Sequence, residues 1–124
     1  MYIGISSPCM ENSSPEAYLR HVLDAIHRID KHVSGVVKED FLKEDSTAAA
    51  ATVRELEIIG EAISNMPEAY RKQYKTVPWR LITDMRNRLI HGYFTVDYNI
   101  VWKTVSKDLP ALKQQIQELL RNLR

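Results

Sequence analysis

Apolar residues recur every three or four positions along most of this chain, the period of helices that bury one face. Leu19, Val22, Leu23, Ile26, Ile29 and Val33 form the first stripe. It opens on Ser14-Pro15-Glu16, a serine cap with proline at the first helical position and an acid in the first turn, and Gly35 closes it. A polar connection from Lys38 to Asp45 holds Phe41 and Leu42, enough for one docking turn. Asp45 or Ser46 then caps a second long helix through Ala48–Ala51, with Val53, Leu56, Ile59 and Ile63 on its buried face and Pro67 just past its end. Gly60 falls inside that helix, where glycine either weakens it or marks a close helix contact.

The second half continues the pattern. Tyr70 and Tyr74 suggest a short helix from Pro67 to Tyr74, and Val77 is extended because proline follows it. A third long helix starts at Trp79, buries Ile82, Met85 and Leu89, and ends near Gly92. Asp97 caps the last helical region, whose stripe begins with Ile100, Val101 and Val105. Asp108-Leu109-Pro110 reads as a fresh helix start, leading into Leu112, Ile116, Leu119, Leu120 and Leu123. No segment alternates as a strand would. The pattern predicts an all-α antiparallel bundle of four to five helices over residues 14–124, with a flexible leader over 1–13. Met10 is an alternative start, which would make the first nine residues an upstream extension.

Composition narrows the field without naming an activity. At 124 residues, 44% hydrophobic and 27% charged, the chain has the make-up of one globular domain. A net charge of +1 excludes a generally polycationic coat for nucleic acid, but the acids are not evenly spread. Between Glu68 and His91 stand Arg71, Lys72, Lys75, Arg80, Arg86 and Arg88 against Glu68 and Asp84, a local basic surplus suited to an anionic ligand. The single cysteine, Cys9, rules out an intrachain disulfide and fits a reducing cytoplasm. No run is long and apolar enough to span a bilayer. His21, His27 and His32 lie on one helix at spacings that do not gather them round a metal ion, so neither metal nor cofactor is expected.

The chemistry concentrates in Met85-Arg86-Asn87-Arg88-Leu89-Ile90-His91-Gly92-Tyr93. Arg86 and His91 are five apart, about 140° around an ideal helix, and do not converge on a continuous one. Either the helix ends at His91 and frees the imidazole, or Arg86 of one subunit complements His91 of another. A neutral imidazole can take the proton of a ribose 2′-hydroxyl, while arginine offers forked donors to the charge growing on a phosphate. The set therefore suits metal-independent RNA cleavage, with Asn87, Arg88 and Tyr93 as substrate contacts. Spacing alone also fits surface ion pairs and a helix-end histidine bonding carbonyls. Trp79 and Trp102 sit at apolar helical phases and read as core. Glu57 and Glu61 read as a solvated face, or a salt bridge to Arg54.

Taken together, Ile59-Gly60-Glu61-Ala62, Val77-Pro78-Trp79-Arg80, the Arg86–Tyr93 segment, Val101-Trp102 and Asp108-Leu109-Pro110 resemble the HepT-like toxin family of HEPN domains. The resemblance runs from about Pro15 to Leu123. The family's R-x4-H-x-Y motif matches Arg86, His91 and Tyr93 without a gap, and Asn87 fills the polar position after the arginine. The resemblance implies a cytoplasmic homodimer with Arg86 and His91 as a ribonuclease pair in the cleft between subunits. It implies cellular RNA as substrate, transfer RNA among them for some members, and a small nucleotidyltransferase antitoxin as partner. In some such systems that partner places AMP on the motif tyrosine, here Tyr93. The competing reading is a non-catalytic binding subunit or modification substrate of the nucleotidyltransferase. The wide stripe of Ile116, Leu119, Leu120 and Leu123 adds an expectation that part of the last helix needs a partner.

Overall fold

Ser14 acts as its place before Pro15 predicts. Its Oγ accepts from the Ala17 N–H at 3.3 Å, and helix α1 runs Pro15–Val33. In the computed structural model residues 14–91 and 96–123 are described, with the backbone alone for Leu81 and for 88–91. Every regular element among them is helical. The leader over 1–13 lies outside the described residues. Beyond α1 the chain turns at Gly35, whose φ of 74° is the left-handed conformation that glycine tolerates best.

Helix α2 is the single turn Lys38–Phe41. It docks by one residue: Phe41 is fully buried, its ring 5.0 Å from that of Trp102 and 6.3 Å from that of Tyr98. Helix α3, Thr47–Asn65, takes Ser46 rather than Asp45 as its cap, the Oγ accepting from the Ala49 N–H at 3.1 Å. Ser46→Ala removes that acceptor and is expected to cost about 1 kcal/mol, read as a midpoint shift in urea unfolding. An unchanged midpoint would show that water replaces the hydroxyl without loss.

Helix α4 covers Glu68–Gln73 and α5 covers Trp79–His91. Trp79 is core as predicted, and its indole Nε1 donates to the carbonyls of Tyr74 at 2.9 Å and Arg71 at 3.1 Å. Those bonds fasten the start of α5 to the last turn of α4 and the residue after it. Helix α3 forms the centre of the bundle, packed against α1 on one side and α5 on the other. Buried Tyr18, Leu19, Val22, Ile26 and Ile29 of α1 share one core with Ile59, Ala62 and Ile63 of α3. Glu55 is an acid on that inner face, satisfied by Arg28 Nε at 2.9 Å.

The last region departs from the sequence reading. Asp97 caps α6, Tyr98–Lys103, its Oδ1 accepting from the Asn99 N–H at 2.9 Å. No fresh start follows at Asp108, which has helical backbone angles and no side-chain cap bond. The rod continues instead through a π-helical turn, Thr104–Asp108, into α7, Leu109–Asn122. Pro110 explains the local widening. It has no N–H to give, and its ring would strike a carbonyl of the preceding turn in a regular α-helix. The wider turn accommodates the ring without breaking the rod, with the Leu109 N–H donating back to the Thr104 carbonyl.

The stripe on α7 is also satisfied within the protomer. Ile116, Leu119 and Leu120 are buried in the shared core, and α7 lies against α1, where Lys113 pairs with Asp30 at 3.0 Å. For Ile116, Leu119 and Leu120 the expectation of a partner is therefore corrected, because the protomer's own core covers them, while Leu123 is half-buried.

Candidate functional site

Arg86 lies on α5 where that helix crosses α3, and the crossing is built around its side chain. Gly60 of α3 faces it. A methyl group at position 60 would fall on the Arg86 Cβ and Cγ and come within 3.2 Å of its Cδ. The missing side chain is the notch through which the arginine stem passes. Ile82 and Met85, one turn and one residue before Arg86, are half-buried and pack against the core on the same side of α5.

Past the notch the guanidinium meets two oxygen atoms. Arg86 Nη2 donates to Glu61 Oε1 at 3.2 Å, and Nη1 donates to Asn87 Oδ1 at 3.0 Å. The Nε atom is buried and has no hydrogen-bond partner among the described residues. Of the five N–H donors of an arginine, two are thus engaged and the Nε–H is buried, which leaves one N–H on each Nη for an incoming anion. The Arg86 side chain is 24% exposed and that of Glu61 46%, so the pair stands at the surface, where a phosphate can reach it.

Glu61 has a partner that the sequence reading does not supply. Its side chain is 46% exposed, in keeping with a solvated face, but its ion pair is with Arg86 rather than Arg54. Two signals bore on it: Gly60 as a mark of close helix contact, and the stretch Ile59-Gly60-Glu61-Ala62 as part of the family resemblance. Neither says that the carboxylate turns toward α5.

His91 is the last described residue of α5, and the four residues after it lie outside the described residues. Five residues from Arg86 is about 7.5 Å along the helix axis, within reach of a single nucleotide linkage. Arg88 lies between them on the same helix, and Asn87 is exposed. The side chains of Arg88 and His91 are not described, and Tyr93 lies outside the described residues. Of the five predicted site residues, the structure brings Arg86 and Asn87 into contact.

Lys72, Lys75 and Arg80 are exposed on α4, the following loop and the start of α5, with Lys72 paired to Glu68 at 3.5 Å. Elsewhere an apolar groove of about 300 Å³ runs between α3, α5 and the α6–α7 rod, lined by Leu56, Ile59, Ile82, Met85 and Ile100 among others. Ile100 is 40% exposed. Tyr70, on α4, has a buried hydroxyl without a partner among the described residues, and burial pushes its phenol pKa upward, with Tyr74 adding to the effect. Among the described residues no group of histidine, cysteine and acids is placed to hold a metal ion, and no helix is long and apolar enough to cross a membrane.

Comparison with known proteins gives one consistent picture. The family model described as Ribonuclease HepT-like matches residues 22–119. A protein of Caldanaerobacter subterraneus subsp. tengcongensis, named as a candidate RNase, is 44% identical over 87% of this chain and 96% of its own length. A probable ribonuclease HepT of Thermococcus cleftensis is 41% identical over 86% of this chain and 96% of its own. In Methanocaldococcus jannaschii the likeness, 38% identical over 86% of this chain, covers 47% of a protein named as a gamma-glutamylcyclotransferase and candidate RNase. No solved structure matches the chain at a significant level.

Proposed function

The chain belongs to the HepT-like ribonuclease family of HEPN proteins, and from that premise we propose that it is the toxin of a toxin–antitoxin module, a metal-independent RNA endonuclease acting in the cytoplasm. The observation that carries this reading is the seating of Arg86. Its guanidinium is threaded past Gly60 and oriented by Glu61 and Asn87, with donors to spare for a phosphate.

In the proposed reaction the His91 imidazole takes the proton from a ribose 2′-hydroxyl. The 2′-oxygen attacks the adjacent phosphorus, Arg86 stabilises the charge that builds on the phosphoryl oxygens, and the bond to the 5′-oxygen breaks. The 5′-oxygen acquires a proton, and the products are a 2′,3′-cyclic phosphate and a 5′-hydroxyl. Asn87 and Arg88 contact the RNA strand, and the exposed Lys72, Lys75 and Arg80 draw it toward the crossing. A homodimer sets two such sites across one cleft. The exposed Ile100 and the apolar groove beside α5 support a partner on this side of the molecule.

Control falls to Tyr93 and a nucleotidyltransferase antitoxin. The phenolic oxygen attacks the α-phosphorus of ATP, its proton is lost and pyrophosphate leaves. The AMP so attached, two residues from His91, adds bulk and a negative phosphate that competes for Arg86. Protein produced with the antitoxin is expected to gain the mass of one or more AMP units, to lose that gain in Tyr93→Phe, and to cleave RNA less than the unmodified form. Intact-mass measurement beside an RNA cleavage assay in a metal chelator checks all three. A tight complex with the antitoxin, but no cleavage of any RNA by the unmodified protein, would favour a non-catalytic binding subunit instead.

A further inference from the structure

We propose that Glu61 is a positioning residue for the RNA cleavage described above, holding the Arg86 guanidinium in the orientation that receives the phosphate. The inference rests on the nuclease reading and adds a residue from a different helix to it. Three observations meet at this point. The stem of Arg86 is confined by the Gly60 notch, its Nη2 donates to Glu61 Oε1 at 3.2 Å, and its Nη1 donates to Asn87 Oδ1 at 3.0 Å. The notch fixes where the stem leaves α5, but it does not set rotation about the outer bonds. Asn87 neighbours Arg86 on the same helix, so a bond to it moves with α5 and gives no reference to the rest of the bundle. Glu61 is on α3, and its carboxylate supplies that reference.

The energetics separate positioning from stabilisation. Glu61 is 46% exposed and Arg86 24%, so solvent screens the carboxylate end of the pair and its contribution to folding is modest. Its consequence is geometric. The bonds to Glu61 and Asn87 still leave one N–H free on each Nη, and a guanidinium held in advance loses less entropy when a phosphate arrives. The carboxylate also carries a cost: it places a negative charge beside a polyanion. Removing it should therefore slow the chemistry without weakening RNA binding, whereas mere loss of folded protein would lower the apparent kcat and leave KM alone.

The test is steady-state RNA cleavage by Glu61→Ala, Glu61→Gln and Arg86→Ala, with ¹⁵N-resolved spectra of the Arg86 guanidinium. Glu61→Ala is expected to lower kcat about tenfold and to lower KM. Glu61→Gln keeps an acceptor oxygen and stays within about threefold of the parent kcat. Rotation of the Arg86 Nη groups is slow in the parent and Glu61→Gln proteins and fast in Glu61→Ala. The proposal is overturned if Glu61→Ala keeps the parent kcat while Arg86→Ala is inactive, or if Glu61→Gln is as slow as Glu61→Ala. An inactive parent protein would instead sink the nuclease reading. The guanidinium spectra then decide the pairing alone, since signals identical in parent and Glu61→Ala protein overturn it.

Discussion

Arg86→Ala is expected to slow RNA cleavage by about 10²–10³-fold, the usual consequence of deleting a donor that stabilises charge in a transition state. The size of the effect follows from the chemistry and the seating together. The two non-bridging oxygens of the attacked phosphate share one negative charge and gain more as the 2′-oxygen adds, and the guanidinium proposed to meet them is held in advance by Glu61 and Asn87. Arg86→Lys separates charge from geometry. Lysine keeps a stem that passes Gly60 and keeps one positive charge, but it loses the planar fork. It should fold like the parent protein and cleave at least about tenfold more slowly.

His91→Ala should cause a loss of similar size, and the double variant should lose little more than either single one. Residues that act on the same step fail together, so their effects do not add. Single-turnover cleavage of a labelled RNA, with circular dichroism to confirm folding, reads all four variants. If Arg86→Ala stays within about threefold of the parent rate, well below the loss expected for such a donor, the arginine has no role in catalysis.

Much of this arrangement is written plainly in the chain, for reasons that differ by element. The long helices announce themselves through stripes such as Leu19-Val22-Ile26-Ile29, since burial of one face leaves a period that cannot be hidden. Caps such as Ser14, Ser46 and Asp97 are legible because few residue types can satisfy free N–H groups. The π turn is not legible. Asp108-Leu109-Pro110 has the chemistry of a helix start, and only the packing of α6 and α7 as one rod overrides it. The α7 stripe misled for a related reason: apolar width on one helix does not say whether the same chain or another covers it. At the site, Arg86 and Asn87 were recognisable from the motif around them. Glu61 was not, because pairing across helices depends on which turn of α3 meets which turn of α5. Gly60, as a mark of close helix contact, is the physical hint of that register.

That hint supports the second large prediction. Gly60→Ala should lower stability by about 2 kcal/mol, although alanine is the better helix former by about 1 kcal/mol. The sign is decided by which Arg86 atoms are in the way. A methyl group that met the far end of a long side chain could push it aside. Here it falls on Cβ and Cγ, and Cβ is fixed to the α5 backbone, so no rotamer change relieves the overlap. The two helices must separate, and the core between Ile59 and Met85 loosens with them. The same displacement carries the guanidinium away from its place, so cleavage should fall by about 10–100-fold, beyond what lost stability explains. A thermal melt and a cleavage assay well below the midpoint measure the two effects separately. Pairing Gly60→Ala with Arg86→Gly removes the colliding Cβ. That double variant should be more stable than the two single changes predict by addition, while remaining inactive. A Gly60→Ala protein that melts above the parent would mean that helix propensity outweighs the contact, and the tight crossing proposed around Arg86 would have to be abandoned.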